Sequence, residues 1–251
     1  MDMDVRDKVV WITGTSRGIG RVLARSFASM GAIVVGTQLE EDPAFTAELK
    51  KLSPGSAVLR QDVRRREDAT AVAEQIAATH GRLDVLINNA GVDPRVPADE
   101  MKDEQWEDVL ATNLHGSWYG CRAAIPLMKQ RGYGKIINVG SITAIIGMAH
   151  LAHYVSSKAG LVGLTRGLAR DLGKFGIRVN CLVLGAVAVE KEAQQGLGSR
   201  EAALARVNAL QAISGRIEMG DVVPFFTFFS CPLSDPMTGQ CLTVDKGWTH
   251  T

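Results

Sequence analysis

Tyr154 and Lys158 stand four positions apart in a helix-compatible segment, so both side chains project from one face of a helix. A phenol ordinarily titrates near about 10, too high for a base at neutral pH. An adjacent ammonium lowers it toward the working range, as a residue that gives and takes a proton requires. The same pair at the same spacing is also what an exposed amphipathic helix carries, so the chemistry depends on what stands beside it. Thirteen residues before Tyr154, Ser141 closes a β-branched run; its hydroxyl can donate to a substrate carbonyl oxygen or cap a turn. Asn113 lies in a helical stretch where asparagine is a mediocre former, so it holds a water, kinks the helix or faces solvent.

A second group of residues suits an anion. Thr13-Gly14-Thr15-Ser16-Arg17-Gly18-Ile19-Gly20 follows an apolar run and opens a helix. Its glycines permit a tight turn and let backbone N–H groups approach a pyrophosphate at the positive helix end. The spacing is G-x-x-x-G-x-G, so the strand-to-helix setting carries as much weight as the glycines. Asn88-Asn89-Ala90-Gly91 ends another apolar run, where small residues allow the chain to pass close to a ligand or form an ordinary Asn-Gly turn.

The elements that must position these groups alternate along the chain. Seven β-branched runs, 8–13, 32–37, 57–60, 83–88, 135–141, 177–183 and 240–244, read as parallel strands. Near-continuous apolar stretches such as Val9-Val10-Trp11-Ile12 suit strands covered on both faces, and spacers such as 19–30 and 68–80 are long enough for crossover helices. The pattern predicts one doubly wound α/β domain over 1–251, with ligands bound where the strand order reverses. The segment 186–215 is rich in Ala, Gln and Glu and lacks a strand. It reads as a helical lid hinged at Gly185, Gly196, Gly198 and Gly215, or as a surface insertion.

Composition narrows the class. The 251 residues are 46% hydrophobic, and 28 basic side chains balance 27 acidic ones for a net charge of +1. The basic run Arg64-Arg65-Arg66 is followed at once by Glu67 and Asp68, so neither a nucleic-acid nor a membrane surface is indicated. Residues 1–8 lack a basic start and an apolar stretch, and the four cysteines, Cys121, Cys181, Cys231 and Cys241, form no C-x-x-C pair. Buried free thiols, no metal site and a cytoplasmic location are the expectation.

Together these residues resemble the short-chain dehydrogenase/reductase family over residues 8–247. The family's T-G-x-x-x-G-I-G corresponds to residues 13–20, its N-N-A-G to 88–91 and its Y-x-x-x-K to 154–158. Asn113 and Ser141 fall at the other two positions of its catalytic tetrad. The resemblance implies a Rossmann-type fold and hydride transfer between a nicotinamide cofactor and a small-molecule carbonyl or secondary alcohol. Tyr154 would exchange the proton, Ser141 would polarise the oxygen, and Lys158 would hold the nicotinamide ribose and tune Tyr154. Asn113 would position a relay water. Gly14, Ser16, Arg17, Gly18, Ile19, Gly20, Asn89, Ala90, Gly91, Gly185 and Val187 would line the cofactor, with Asp62 and Val63 at the adenine.

NAD-preferring members usually place an acid just after the second strand, where this chain has Gln38, while Arg17 suits a 2′-phosphate. The expectation is therefore NADP(H), with NAD(H) left open by Glu40 and Glu41. Within the family the look is that of 3-oxoacyl-carrier-protein reductases, including Gly36-Thr37, although Phe175 stands at an often basic position. Substrate-pocket walls are expected from 92–101, 143–153 (with His150 and His153) and 186–215. A homotetramer or homodimer is implied, through 113–130 and 151–174 and through 224–229. Leu184 for proline, Val189 for threonine and Lys246 for glycine depart from the pattern. They motivate the alternative of a dinucleotide-binding structural or regulatory protein that has lost efficient catalysis.

Overall fold

Alternate residues of each strand point to opposite faces of a sheet, and here both sets are apolar because both faces are covered. The computed structural model describes residues 3–188 and 200–250. Its strands are β1 (Val9–Thr13), β2 (Ile33–Gln38), β3 (Ala57–Arg60), β4 (Val85–Asn88), β5 (Gly134–Ser141), β6 (Ile177–Leu184) and β7 (Cys241–Val244). They form one parallel sheet in the order β3-β2-β1-β4-β5-β6-β7. The doubly wound fold read from the sequence is the one observed. Five strand starts shift by one or two residues from expectation, and two strands run longer at their ends: β2 continues through Gln38 and β6 through Leu184, because each continues its in-register ladder, to Arg60 of β3 and to Val244 of β7.

On one face Val10, Ile12, Val34, Ile87, Ile137 and Leu182 pack against α1 (Gly18–Ser29), α2 (Pro43–Leu52) and, late in the chain, α9 (Val223–Ser230), through Leu23, Phe27, Phe45, Phe226 and Phe229. On the other, Val9, Trp11, Val35, Leu86, Ile136 and Val179 meet α3 (Arg66–His80), α5 (Gly116–Arg131) and α7 (Ala152–Leu172). Between β4 and α5 lies α4 (Asp103–Leu110), a single-turn α6 (Thr143–Ile146) precedes α7, and α8 (Arg200–Asn208) follows β6. At the amino ends of the strands, fully buried Lys135 donates to Cys231 O (2.8 Å) and Ser234 Oγ (2.7 Å) and pairs with Asp235. These partners meet the cost of burying an ammonium and leave the opposite rim for function.

The order reverses between β1 and β4, so the loops leaving those strands part to opposite faces of the sheet and leave a crevice at their carboxyl ends. Expected features that fall on Val189, Gly196 and Gly198 lie outside the described residues. Of the expected lid, 186–188 and 200–215 are described, the latter including α8. Cys121, Cys181 and Cys231 are buried free thiols, whereas Cys241 is only partly covered.

Candidate active site

The turn after β1 is fitted to the loop after β4. A Cβ on Gly14, which has a φ of +75°, would lie 2.8 Å from Ala90 Cα. A Cβ on Gly20 would collide with Gly14 O and lie 2.5 Å from Asn89 Nδ2. Asn89 in turn donates its amide to Thr13 O (2.8 Å) and Gly14 O (3.1 Å). Thr13 Oγ1 accepts from the backbone N–H of Asn89 (3.0 Å) and of Ala90 (3.1 Å), a role the T-G pattern contains but spacing alone does not assign. Helix α1 starts from Arg17 in an extended conformation, with no side-chain cap and no acid in its first turn. Its leading N–H groups are therefore left for an anion. A backbone pared of side chains and an uncapped helix end fit the pyrophosphate of a dinucleotide.

The outer part of the cofactor track is less uniform. Buried Gln38 is tied into the turn: its Oε1 accepts from Thr15 Oγ1 (3.2 Å) and its amide donates to Glu40 O (2.9 Å). Arg17 and Ser16 are exposed, and Arg17 makes no ion pair among the described residues. Arg21, by contrast, is committed to Asp42 (3.0 Å). Asp62 is spent on Arg64 (2.7 Å), whose guanidinium holds its carboxyl below the usual range. Val63 packs where a Cβ on Gly116 would lie 2.9 Å from it.

From these loops a cleft of about 620 Å³ runs along the carboxyl ends of β4, β5 and β6. Ile19, Asn89, Gly91, Ser141, Tyr154, Lys158, Gly185 and Val187 all line it, so the structure brings these expected residues together on one wall. Ser141 ends β5, and its hydroxyl, which accepts from Thr143 Oγ1 (3.0 Å), lies close enough to the Tyr154 phenol to favour its ionised form. Lys158, one helical turn below Tyr154, is nearly buried and donates to Val139 O (2.7 Å). Gly91 leaves the space above it: a Cβ there would lie 3.6 Å from Lys158 Nζ.

The electrostatics correct one expectation. Burial pushes the Tyr154 phenol up to about 12; the nearby Ser141 hydroxyl opposes the rise and the Asp93 carboxylate adds to it. Lys158 does not bring the phenol down, because its Nζ points to Val139 O and lies 5.6 Å from the centre of the Tyr154 ring. Burial likewise depresses Lys158, from 10.5 to about 8. Between those two pH values the unfolded chain carries a proton that the folded chain has lost, so this residue makes stability rise with pH across that window. Comparing thermal unfolding of wild type and Lys158→Met from pH 7 to 11 should therefore show a difference that grows in favour of wild type between about pH 8 and 10.5. A flat difference would contradict the depressed lysine.

Asn113 does not line the cleft. The helix swells there into a π-helical turn, Ala111–His115, and the side chain is fully buried, which excludes the solvent-facing reading. Both its N–H groups are spent, on Val92 O (2.9 Å) and Ser157 Oγ (3.0 Å), and its Oδ1 accepts from Val92 N (2.9 Å). Ser157 Oγ donates on to Tyr154 O (2.7 Å). The amide thus clamps the loop after β4 to the helix that carries Tyr154 and Lys158.

The expected substrate walls are partly present, as Val92, Asp93, Arg95, Thr143, Met148, Leu151, Arg206, Val207 and Leu210 face the cleft. His150 and His153 do not line it: His153 is buried beneath Tyr154, and His150, at φ +63°, uses its carbonyl to accept from Val96 N. Arg216, held by Ala186 O and Val187 O (both 3.2 Å), and Trp248 complete the lining; nothing in their local sequence marks them. Two of the three departures leave the turns intact. Gly185 N donates to Val244 O (2.9 Å) without a proline before it. Lys246 itself takes the left-handed conformation, φ +56°, that glycine would adopt, with its Nζ donating to Ser214 O (3.2 Å).

Comparison with known proteins agrees with this geometry. A family model described as enoyl-(acyl carrier protein) reductase matches residues 14–249. A probable galactose dehydrogenase of Rhizobium meliloti is 32% identical over 247 residues, covering 97% of this chain and 96% of that protein. The 3-oxoacyl-[acyl-carrier-protein] reductase of Escherichia coli is 33% identical over 245 residues and 98% of each chain. A provisionally assigned short-chain alcohol dehydrogenase of Sinorhizobium meliloti superposes with a TM-score of 0.92 at 29% identity, over 98% of each chain.

Proposed function

The chain belongs to the short-chain dehydrogenase/reductase family of NAD(P)-dependent oxidoreductases, and from that premise we propose that it interconverts a small-molecule carbonyl compound and its alcohol through Tyr154. The reading rests on the shared cleft, in which Ser141, Tyr154 and Lys158 all line one pocket and Lys158 is anchored on Val139 O one helical turn from Tyr154. In the reducing direction Ser141 donates to the carbonyl oxygen and Tyr154 gives that oxygen its proton, as carbon accepts a hydride. When bound, the nicotinamide supplies that hydride. A phenol held near 12 is protonated at neutral pH, so in the reducing direction the free site already carries the proton that it gives. Lys158 and Gly91 hold the nicotinamide ribose, and Asn113 keeps them in register through Val92, in place of a water-holding side chain.

Arg17 and Gln38 set the cofactor preference as NADP(H). Arg17 is a free guanidinium beside the adenosine end of the track, and Gln38 offers no carboxylate to a ribose 2′-hydroxyl. A charge-assisted contact contributes about 1.5–3 kcal/mol, so Arg17→Ala should weaken NADPH by about tenfold or more in a fluorescence titration and leave NADH nearly unchanged. Equal weakening of both would contradict the assignment.

The substrate is a small polar carbonyl or alcohol, with Asp93 and Arg95 as charged groups and Met148, Leu151 and Trp248 as apolar ones in the lining of the cleft. Aldoses come first in a substrate panel because one relative is a probable galactose dehydrogenase, and 3-oxoacyl thioesters second. The described part of 186–215 serves as one side of a lid, since Arg206, Val207 and Leu210 face the cleft. The chain acts as a homodimer or homotetramer through α5 and α7, with Trp118 exposed on α5, and in the cytoplasm. Among the described residues no helix is long and apolar enough to cross a membrane.

A further inference from the structure

Cys181 of β6 and Cys241 of β7 are register partners on neighbouring parallel strands, and they pack in the same small cluster. We propose that these two cysteines form a dithiol that a hydroperoxide oxidises to an intrachain disulfide, a covalent modification site beside the support of Lys158.

The geometry allows the bond. Neighbouring strands lie about 4.8 Å apart, inside the span of about 4.4–6.8 Å between Cα atoms that a disulfide bridges. Register partners point to the same face, where Cys181 packs with Ile142 and Val183, and Cys241 and Trp248 close over them. β7 is four residues long and pairs only with β6 among the described residues, so as an edge strand it can adjust when the bond closes. The other thiols are placed elsewhere: Cys121 accepts from the Asn88 amide and Cys231 donates to Phe228 O.

The two sulfurs are also unequal in the way a two-step oxidation needs. Cys181 is fully buried; its contact with Cys241 and its burial push its thiol up. Cys241 is partly exposed, and its contact with Cys181, aided by the Arg166 cation and opposed by burial, holds its thiol below the usual range. The Cys241 thiolate attacks one oxygen of hydrogen peroxide, the O–O bond breaks, and a Cys241 sulfenic acid and a hydroxide result, the hydroxide becoming water as it takes up from solvent the proton that the thiol had released. Cys181 sulfur then attacks the sulfenic sulfur, the S–O bond breaks, and the Cys181 proton leaves with the hydroxyl as a second water. Two thiols are oxidised by two electrons and one peroxide is reduced.

The site borders the catalytic wall. A Cβ on Gly140 would lie 2.7 Å from Cys181 Sγ, so that sulfur overhangs the residue after Val139, whose carbonyl holds Lys158. Closing the disulfide draws the sulfur from Gly140 toward β7.

Treating the full-length protein with a slight excess of hydrogen peroxide, followed by thiol titration in denaturant and tryptic mass mapping, tests the site without any turnover assay, so its outcome is separate from that of the enzymatic reading. The expected result is loss of two of the four thiols and a reductant-sensitive link between peptides 179–191 and 217–246. Cys181→Ser should stop at a sulfenic acid on Cys241 that a dimedone probe traps, and Cys241→Ser should keep its three remaining thiols under the same treatment. Retention of all four thiols by wild type, a link involving Cys121, or thiol loss in Cys241→Ser at the wild-type rate would overturn the proposal.

Discussion

Tyr154→Phe should lower turnover by about 10²–10⁴-fold, the usual worth of a positioned general acid or base, while cofactor affinity and thermal stability stay close to wild type. Phenylalanine fills the same volume, and Ser141 keeps its hydrogen bond from Thr143, so little is disturbed except the hydroxyl that carries the proton. Paired cofactor titration and steady-state kinetics separate the two effects. Retention of full kcat by this variant would remove Tyr154 from the chemistry, whatever else the cleft does.

The second large effect is expected at Gly20→Ala. One added methyl meets Gly14 O and the Asn89 amide, and both belong to the junction that joins the β1 and β4 loops. Overpacking of this kind costs about 1–3 kcal/mol, and the displaced turn is the surface proposed to face the pyrophosphate. Unfolding should therefore shift to lower temperature, and cofactor affinity should fall by more than about tenfold, which corresponds to 1.4 kcal/mol. Gly163→Ala is the matched control. It lies inside α7 with open space around its Cβ position, and alanine in a helix is favoured over glycine by about 0.5–1 kcal/mol. If Gly20→Ala behaved like Gly163→Ala, the close approach would not be what the cofactor track depends on.

Much of this architecture is legible in the chain because it rests on local signals. Apolar runs such as residues 9–12 are continuous where both faces of a strand are buried, and Gly14 and Gly20 mark a turn that leaves no room for Cβ atoms. Tyr154 and Lys158 share a helix, so their spacing alone sets their common face. What is not legible depends on long-range contacts. The rise of the Tyr154 phenol is a burial effect, and burial belongs to the assembled cleft. Lys158 turns to Val139 O, nineteen residues away in sequence, and so does not act on the phenol as the spacing suggests. The Asn113 clamp requires a π-helical turn that no residue type announces. Cys181 and Cys241 are read separately as isolated thiols until β7 is laid beside β6. Leu184 and Lys246 show the converse: they break the family pattern in sequence, yet backbone hydrogen bonds and one left-handed lysine preserve the turns.

The most direct test is to follow the absorbance of NADPH and NADH mixed with wild-type protein over a panel of aldoses, 3-oxoacyl thioesters and simple ketones, with Tyr154→Phe measured alongside. Cofactor oxidation should need both a carbonyl substrate and the Tyr154 hydroxyl, and should be faster with NADPH. Tight cofactor binding without turnover on any member of the panel, or on the corresponding alcohols with the oxidised cofactors, would contradict the proposed reaction.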